Sequence, residues 1–95
     1  MTTDHLTVHV LIEGRVQGVG YRAWCVGEAE ARNLSGWVRN LSNGAVEAAF
    51  TGPADTVVDM LDALWRGPAF ARVNLVKDLE PVEPASGAFA LRKTA

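Results

Sequence analysis

Apolar and polar residues alternate along several short stretches of this chain, at the spacing of half-buried β-strands. Residues 6–13 place Val8, Val10 and Ile12 on one face of such a strand. In a later stretch Val73, Leu75 and Val76 break strict alternation, which is compatible with a β-bulge. The alternation predicts four further strands over residues 37–41, 45–51, 71–79 and 89–92.

Two other stretches repeat apolar residues at helical spacing. From Val57 to Leu64 they recur at i, i+3, i+4 and i+7, and Gly67-Pro68 then ends the predicted helix. A first helix is predicted over residues 22–34, before Ser35-Gly36. Strands and helices therefore follow the order β-α-β-β-α-β, with a short final strand.

That order predicts an α+β fold, a ferredoxin-like β-α-β-β-α-β sandwich with two helices packed on one face of an antiparallel sheet. Asn43-Gly44 predicts a type I′ hairpin turn between the second and third strands, because both residues tolerate positive φ. The 95 residues make one domain, 1–95, with a core over about 6–92. The fold itself hosts many functions, so the function must be argued from particular residues.

Composition and charge exclude several classes of protein. A 48% hydrophobic and 21% charged composition is globular, and no apolar run approaches the ~20 residues that span a membrane. The lone Cys25 suits a reducing cytoplasm. A net charge of −2 argues against nonspecific binding to nucleic acid, but not against a local site for one small anion. We expect a cytoplasmic monomer that binds neither nucleic acid nor a membrane.

The segment from Gly14 to Arg22 predicts such an anion site. Gly14, Gly18 and Gly20 allow positive φ and a close approach of the backbone to a ligand. The following helix begins with unpaired N–H groups, and the Arg22 guanidinium matches phosphate geometry. A glycine-rich connection beside a surface arginine is the alternative interpretation. Neither the Walker nor the complete Gly-x-Gly-x-x-Gly pattern is present, so we do not predict nucleotide binding.

Asn40 ends the second predicted strand and is a second candidate. Its amide could hold a water molecule through the oxygen and a substrate through the nitrogen. A turn asparagine bonded to its own backbone is the alternative. The sequence offers no carboxylate pair, metal-ligand set or Ser-His-Asp set. Catalysis here would depend on positioning and positive charge, which favours hydrolysis of an already reactive phosphate compound.

Two motifs resemble the signatures of the acylphosphatase family. The first is Gly14-x-Val16-Gln17-Gly18-Val19-x-Tyr21-Arg22, and the second is Gly36-Trp37-Val38-Arg39-Asn40 followed by Gly44-Ala45-Val46-Glu47. The resemblance continues to Arg92 and covers nearly the whole chain. It implies hydrolysis of the carboxyl–phosphate bond of a small-molecule acyl phosphate, without a metal or cofactor.

The resemblance also implies a role for each site residue. Arg22 would hold the phosphoryl oxygens and Asn40 would orient the attacking water. Backbone N–H groups would complete the phosphate site, from Arg15, Val16, Gln17, Gly18, Val19 and Gly20. A noncatalytic anion-binding regulatory module is the alternative function, disfavoured by a chain that ends at Ala95. An RNA-binding module is disfavoured by the negative net charge and the missing aromatic motif.

Overall fold

The computed structural model describes residues 4–95 as two helices and five strands. In chain order these are β1 (His5–Arg15), α1 (Tyr21–Ala31), β2 (Ser35–Asn40), β3 (Val46–Pro53), α2 (Ala54–Arg66), β4 (Arg72–Asp78) and β5 (Ala90–Leu91). The predicted ferredoxin-like α+β fold is confirmed. No helix in this part of the chain is long and apolar enough to cross a membrane.

The sheet has the strand order β4-β1-β3-β2-β5. The first four strands in this order pair antiparallel, as predicted, but β5 pairs parallel with β2. Because β4 and β5 lie at opposite edges, the segment 79–89 between them crosses the sheet face away from the helices. Two hydrogen bonds join this segment to the sheet. Ala85 N–H donates to Thr51 Oγ1 of β3 (3.0 Å), and Ser35 Oγ of β2 donates to the Gly87 carbonyl oxygen (2.7 Å).

The core lies between the sheet and the two helices. Alternate residues of the strands enter it, and Cys25 of α1 and Met60 of α2 cover them, both fully buried. Burial, and secondly the charge of Glu28, raise the pKa of the Cys25 thiol to about 12. Cys25 therefore stays protonated and packs as a small apolar residue.

Helix α1 ends at Ala31, three residues before the predicted end. Asn33 takes a left-handed conformation (φ 55°) and its N–H donates to the Glu30 carbonyl oxygen (3.0 Å). Leu34 N–H reaches the Ala29 carbonyl oxygen (3.0 Å), which completes a Schellman end. Strand β2 can therefore begin at Ser35, earlier than the alternation predicted.

The predicted irregularity in β4 is a bulge that faces the end of β1. Glu13 pairs with Leu75 and Gly14 with Val73, which leaves Asn74 without a partner of its own. A Cβ at Gly14 would lie 2.1 Å from the Arg72 carbonyl oxygen, so only glycine allows this approach. The strand can therefore continue to Arg15 and deliver the chain into the loop that follows.

The predicted type I′ turn at Asn43-Gly44 is wrong. Within residues 4–95 Asn33 is the one non-glycine residue with positive φ, so only Gly44 of the pair is left-handed (φ 96°). Leu41 N–H donates to the Ala45 carbonyl oxygen (2.8 Å), and residues 42–44 form a three-residue loop. Asn43 Oδ1 accepts the Ala45 N–H (3.0 Å), a local bond that stabilises this wider turn.

Candidate active site

A cavity of about 230 Å³ lies between the loop after β1, the start of α1 and the end of β2. Arg22 and Asn40, one from each of the two sequence motifs, both line it. The residues that line it are Val16, Gln17, Gly18, Gly20, Tyr21, Arg22, Ala23, Asn40 and Leu91.

Two left-handed glycines shape the loop that forms the floor of this cavity. Gly18 has φ 73° and Gly20 has φ 81°, and a Cβ added at either would meet no atom within 4 Å. Glycine is therefore required here by backbone conformation rather than by lack of space. Left-handed residues in a turn direct successive N–H groups into a concavity that binds anions.

The N–H groups of this loop are available to a ligand. Within the described residues, no N–H from 16 to 20 donates to a protein acceptor. The first hydrogen bond of α1 runs from Trp24 N–H to the Gly20 carbonyl oxygen (3.0 Å), so the N–H groups before it have no intrahelical partner. The positive end of the helix dipole adds to their attraction for an anion.

Buried side chains hold the loop at both ends. Val16 and Tyr21 are each 1% exposed and belong to the core cluster. The Tyr21 hydroxyl donates to the Leu64 carbonyl oxygen (2.7 Å), and burial raises the pKa of this phenol far above its ordinary value. Tyr21 therefore remains a neutral donor, and the loop is fixed to α2 before any ligand arrives.

The Gln17 side chain ties the loop to the β2–β3 hairpin. Its Nε2 donates to the carbonyl oxygens of Leu41 and Ala45, each at 2.8 Å. From the sequence, only the backbone N–H of Gln17 was predicted to take part in the site, and this side-chain contact was not predicted. The two acceptors lie on either side of the three-residue hairpin loop, residues 42–44, which begins two residues after Asn40.

Arg22 lies in the first turn of α1, half-buried and lining the cavity. Among residues 4–95, its guanidinium forms no ion pair with a protein carboxylate. Arg32 and Arg39 differ, since Arg32 pairs with Glu28 and Arg39 with Glu47. The positive charge of Arg22 is therefore not neutralised by a neighbouring side chain.

The side-chain oxygen of Asn40 is buried and accepts no hydrogen bond. Leaving a buried acceptor unpaired costs about 1–3 kcal/mol, so such an atom usually serves a ligand or water. The Asn40 backbone, in contrast, is well fixed, because the residue pairs with Val46 and its carbonyl oxygen accepts the Ala95 N–H (3.0 Å). The alternative, a turn asparagine, required Asn40 Oδ1 to bond to its own backbone, and it does not.

Six of the eight predicted site residues line the cavity, and two do not. Arg15 is exposed and pairs with Arg72 at the end of β1, and Val19 is partly buried against the core. The structure adds Tyr21, Ala23 and Leu91 to the lining. In the described part of the chain, no three His, Cys, Asp or Glu side chains cluster as metal ligands would.

A sequence model of the acylphosphatase family matches residues 8–89. The chain belongs to the acylphosphatase family. It is 49% identical to the acylphosphatase of Azorhizobium caulinodans over 93% of this chain and 96% of that protein. It is 59% identical to that of Alcanivorax borkumensis over 74% of this chain and 76% of that protein.

A solved structure agrees with the sequence relatives. The acylphosphatase from Coxiella burnetii superposes with a TM-score of 0.87 at 37% identity, over 94% of each chain. The family, the fold and the coverage together give this chain the acylphosphatase function. Its substrate is therefore an acyl phosphate.

Proposed function

We propose that the cavity between the loop and β2 is the catalytic site, with the phosphoryl group held by Arg22 and the loop N–H groups and the attacking water oriented by Asn40. One observation carries this proposal. Asn40, whose side-chain oxygen is buried and unpaired, lines the same cavity as Arg22, whose guanidinium has no counter-ion, and a loop of unpaired N–H groups.

The phosphoryl oxygens accept hydrogen bonds from two sources. The Arg22 guanidinium donates in a planar fork, and the backbone N–H groups of residues 15–20 donate from the concavity below it. Arg15 and Val19 do not line the cavity, so only their backbone N–H groups, at its edge, have a part in this proposal. Negative charge spreads over the phosphoryl oxygens in the transition state, so donors fixed in advance stabilise it without reorganisation.

Asn40 completes the reaction geometry. Its Oδ1 accepts a hydrogen from the water, whose oxygen attacks phosphorus as the bond from phosphorus to the acyl oxygen breaks. The carboxylate leaves as a stable anion, because carboxylic acids have pKa values of about 4. The cavity lining has no carboxylate or imidazole. The water proton therefore passes to a phosphoryl oxygen of the substrate.

The test is the hydrolysis of benzoyl phosphate by the protein and by Arg22→Lys. An ammonium group cannot form the two parallel bonds of the guanidinium fork, and loss of one such donor costs on the order of 10²–10³ in rate. Inorganic phosphate should inhibit the native protein competitively, and Arg22→Lys more weakly.

Arg66→Lys, an exposed arginine of α2 outside the cavity, is the matched control and should keep the native rate. The proposal fails if Arg22→Lys keeps the native rate and the native inhibition by phosphate.

We also infer that one copy of the chain, as a single domain with its core over residues 6–92, carries the complete site and works as a cytoplasmic monomer without nucleic acid. Arg22, Asn40 and the loop already meet in this cavity, so the proposed site needs no residue from a second copy. Specific activity should stay constant on dilution, and light scattering should give the monomer mass. Activity that falls on dilution would contradict a monomer.

A further inference from the structure

Leu91 is an exposed, large apolar side chain in the cavity that contains Arg22 and Asn40. Its residue is 54% exposed. Across residues 4–95, three other large apolar residues are comparably exposed, and none of them lines this cavity: Val58, Trp65 and Phe70. The exposure of Leu91 therefore coincides with the site.

The backbone holds Leu91 beside Asn40. Leu91 pairs with Val38 of β2, and the next residue, Arg92, donates its N–H to the Val38 carbonyl oxygen (2.9 Å). Paired residues of adjacent strands share a face, and so do residues two apart in one strand. Leu91, Val38 and Asn40 consequently share the helix side of the sheet.

Phe89 anchors the start of this short apolar row. It lies two residues before Leu91, is 6% exposed and stacks on Phe50 with ring centroids 5.4 Å apart. The row therefore leads from the core at Phe89 to the cavity at Leu91. The backbone at Leu91 is thus held by its pairing with Val38, so the chain need not rearrange to present this apolar residue to the cavity.

The charge of the lining limits what can lie against Leu91. Arg22 is the only charged residue among those that line the cavity, and the proposed function assigns it to the phosphoryl group. No second cation lines the cavity to receive a charged acyl group, whereas Leu91 and Ala23 provide apolar surface. The cavity of about 230 Å³ compares with roughly 30 Å³ for one water molecule, so it holds more than a phosphoryl group alone.

We propose that Leu91 is a specificity-determining residue that contacts the acyl group and favours acyl phosphates with an uncharged, apolar acyl group, aryl or alkyl. This proposal rests on the proposed function, because that places the phosphoryl group on Arg22. Half of Leu91 is exposed, so its contact with the acyl group adjusts selectivity between substrates and does not exclude the smaller ones.

The experiment compares kcat/KM for benzoyl phosphate and acetyl phosphate in the native protein and in Leu91→Ser. In Leu91→Ser, the kcat/KM for benzoyl phosphate divided by that for acetyl phosphate should fall on the order of tenfold, mainly because the KM for benzoyl phosphate rises. A fall of this size is the effect of losing about two buried CH₂ contacts. Leu91→Met should keep the native ratio, because it preserves an apolar contact. Phe70→Ser, which removes an exposed apolar side chain outside the cavity, is the matched control and should also keep it.

An unchanged ratio in Leu91→Ser overturns the proposal, whether or not both rates fall together. If thermal melting shows that Leu91→Ser does not fold, Leu91→Ala takes its place with the same expectation. A native protein that hydrolyses neither substrate contradicts the proposed function instead. The two failures are therefore distinguishable.

Discussion

At the scale of single residues, the backbone conformation of Gly18 matters more than its size. Its φ of 73° lies in the left-handed region, where an L-residue costs roughly 1–2 kcal/mol, yet a Cβ there would touch nothing within 4 Å. The strain would therefore be relieved by movement of the loop rather than by repacking of the core. The geometry of the N–H concavity should change while the fold persists.

Gly18→Ala should therefore lower kcat/KM for benzoyl phosphate by about tenfold, because about 1.4 kcal/mol of binding or transition-state stabilisation corresponds to that factor. It should also weaken inhibition by inorganic phosphate. Gly27→Ala is the control, since Gly27 lies within α1, has no positive φ and leaves room for a Cβ. That variant should gain up to about 1 kcal/mol of stability and keep native kinetics. Native phosphate inhibition in Gly18→Ala would show that the concavity does not bind the anion.

At the scale of elements, Gln17 holds two parts of the site in register. Its amide bridges the loop after β1 to the hairpin after Asn40 through two bonds of 2.8 Å. Gln17→Leu keeps the approximate volume but leaves the carbonyl oxygens of Leu41 and Ala45 without this donor. Each oxygen keeps one backbone hydrogen bond, from Gly44 N–H to Leu41 (3.2 Å) and from Leu41 N–H to Ala45 (2.8 Å). The two lost bonds, each contributing about 0.5–1.5 kcal/mol, should therefore destabilise the protein by about 1–3 kcal/mol.

The kinetic effect of Gln17→Leu distinguishes a positioning role from a purely structural one. A positioning role predicts that kcat falls by on the order of tenfold while the KM for benzoyl phosphate changes much less, because misaligned reacting groups slow the step more than they weaken binding. Steady-state kinetics and urea unfolding on the same preparation measure both effects. A loss of stability with native kcat would show that Gln17 has a structural role only.

Element type was predictable from the sequence where periodicity was strong, as in α2, whose apolar spacing placed Val57, Met60 and Leu64 in the core. The ends of helices and turns depended on backbone conformation at single residues, which hydrophobic periodicity does not predict. Asn33 ended α1 by adopting positive φ, and Asn43 did not adopt it in the hairpin. The same residue type therefore behaved in opposite ways, decided by the hydrogen bonds that surround it.

The candidate site, too, could be predicted from the sequence only in part. The loop up to Arg22 is one continuous segment, so its residues could be assigned from the sequence. Leu91 could not, because its place in the cavity depends on β5 joining the sheet parallel to β2 at the far edge. The bridge from Gln17 likewise depends on how the hairpin folds.

At the scale of the whole molecule, a polar cluster links three strands and the crossing segment on the face away from the helices. Glu47 of β3 lies 2.6 Å from the His9 ring of β1 and accepts a bond of 2.7 Å from Arg39 of β2. The other ring nitrogen of His9 lies 2.6 Å from the Glu80 carbonyl oxygen. Burial alone would raise the pKa of Glu47, but the bonds from His9 and Arg39 outweigh it, and the pKa falls below its ordinary value.

This lowered pKa predicts how stability depends on pH. A carboxyl whose pKa is lower in the folded protein adds stability that is complete above its unfolded pKa, about 4.3, and is lost as the pH falls through the folded pKa. Glu47→Gln should therefore show a flatter decline in unfolding free energy between about pH 5 and pH 3 than the native protein. Asp55→Asn, an exposed carboxylate away from this cluster, is the control. Equal acid slopes in Glu47→Gln and the native protein would contradict the role given to this cluster.

The proposed site has two parts, in which Asn40 acts on water while Arg22 and the loop hold phosphate. Asn40→Ala separates the two parts. Asn74→Ala serves as the control, since Asn74 is the exposed residue of the β4 bulge.

The most direct measurement is therefore kcat for benzoyl phosphate together with the inhibition constant for inorganic phosphate in Asn40→Ala. The account predicts a loss in kcat on the order of 10²–10³, the effect of removing one positioned catalytic group, with an inhibition constant close to the native one. Hydrolysis by Asn40→Ala at the native rate would contradict it.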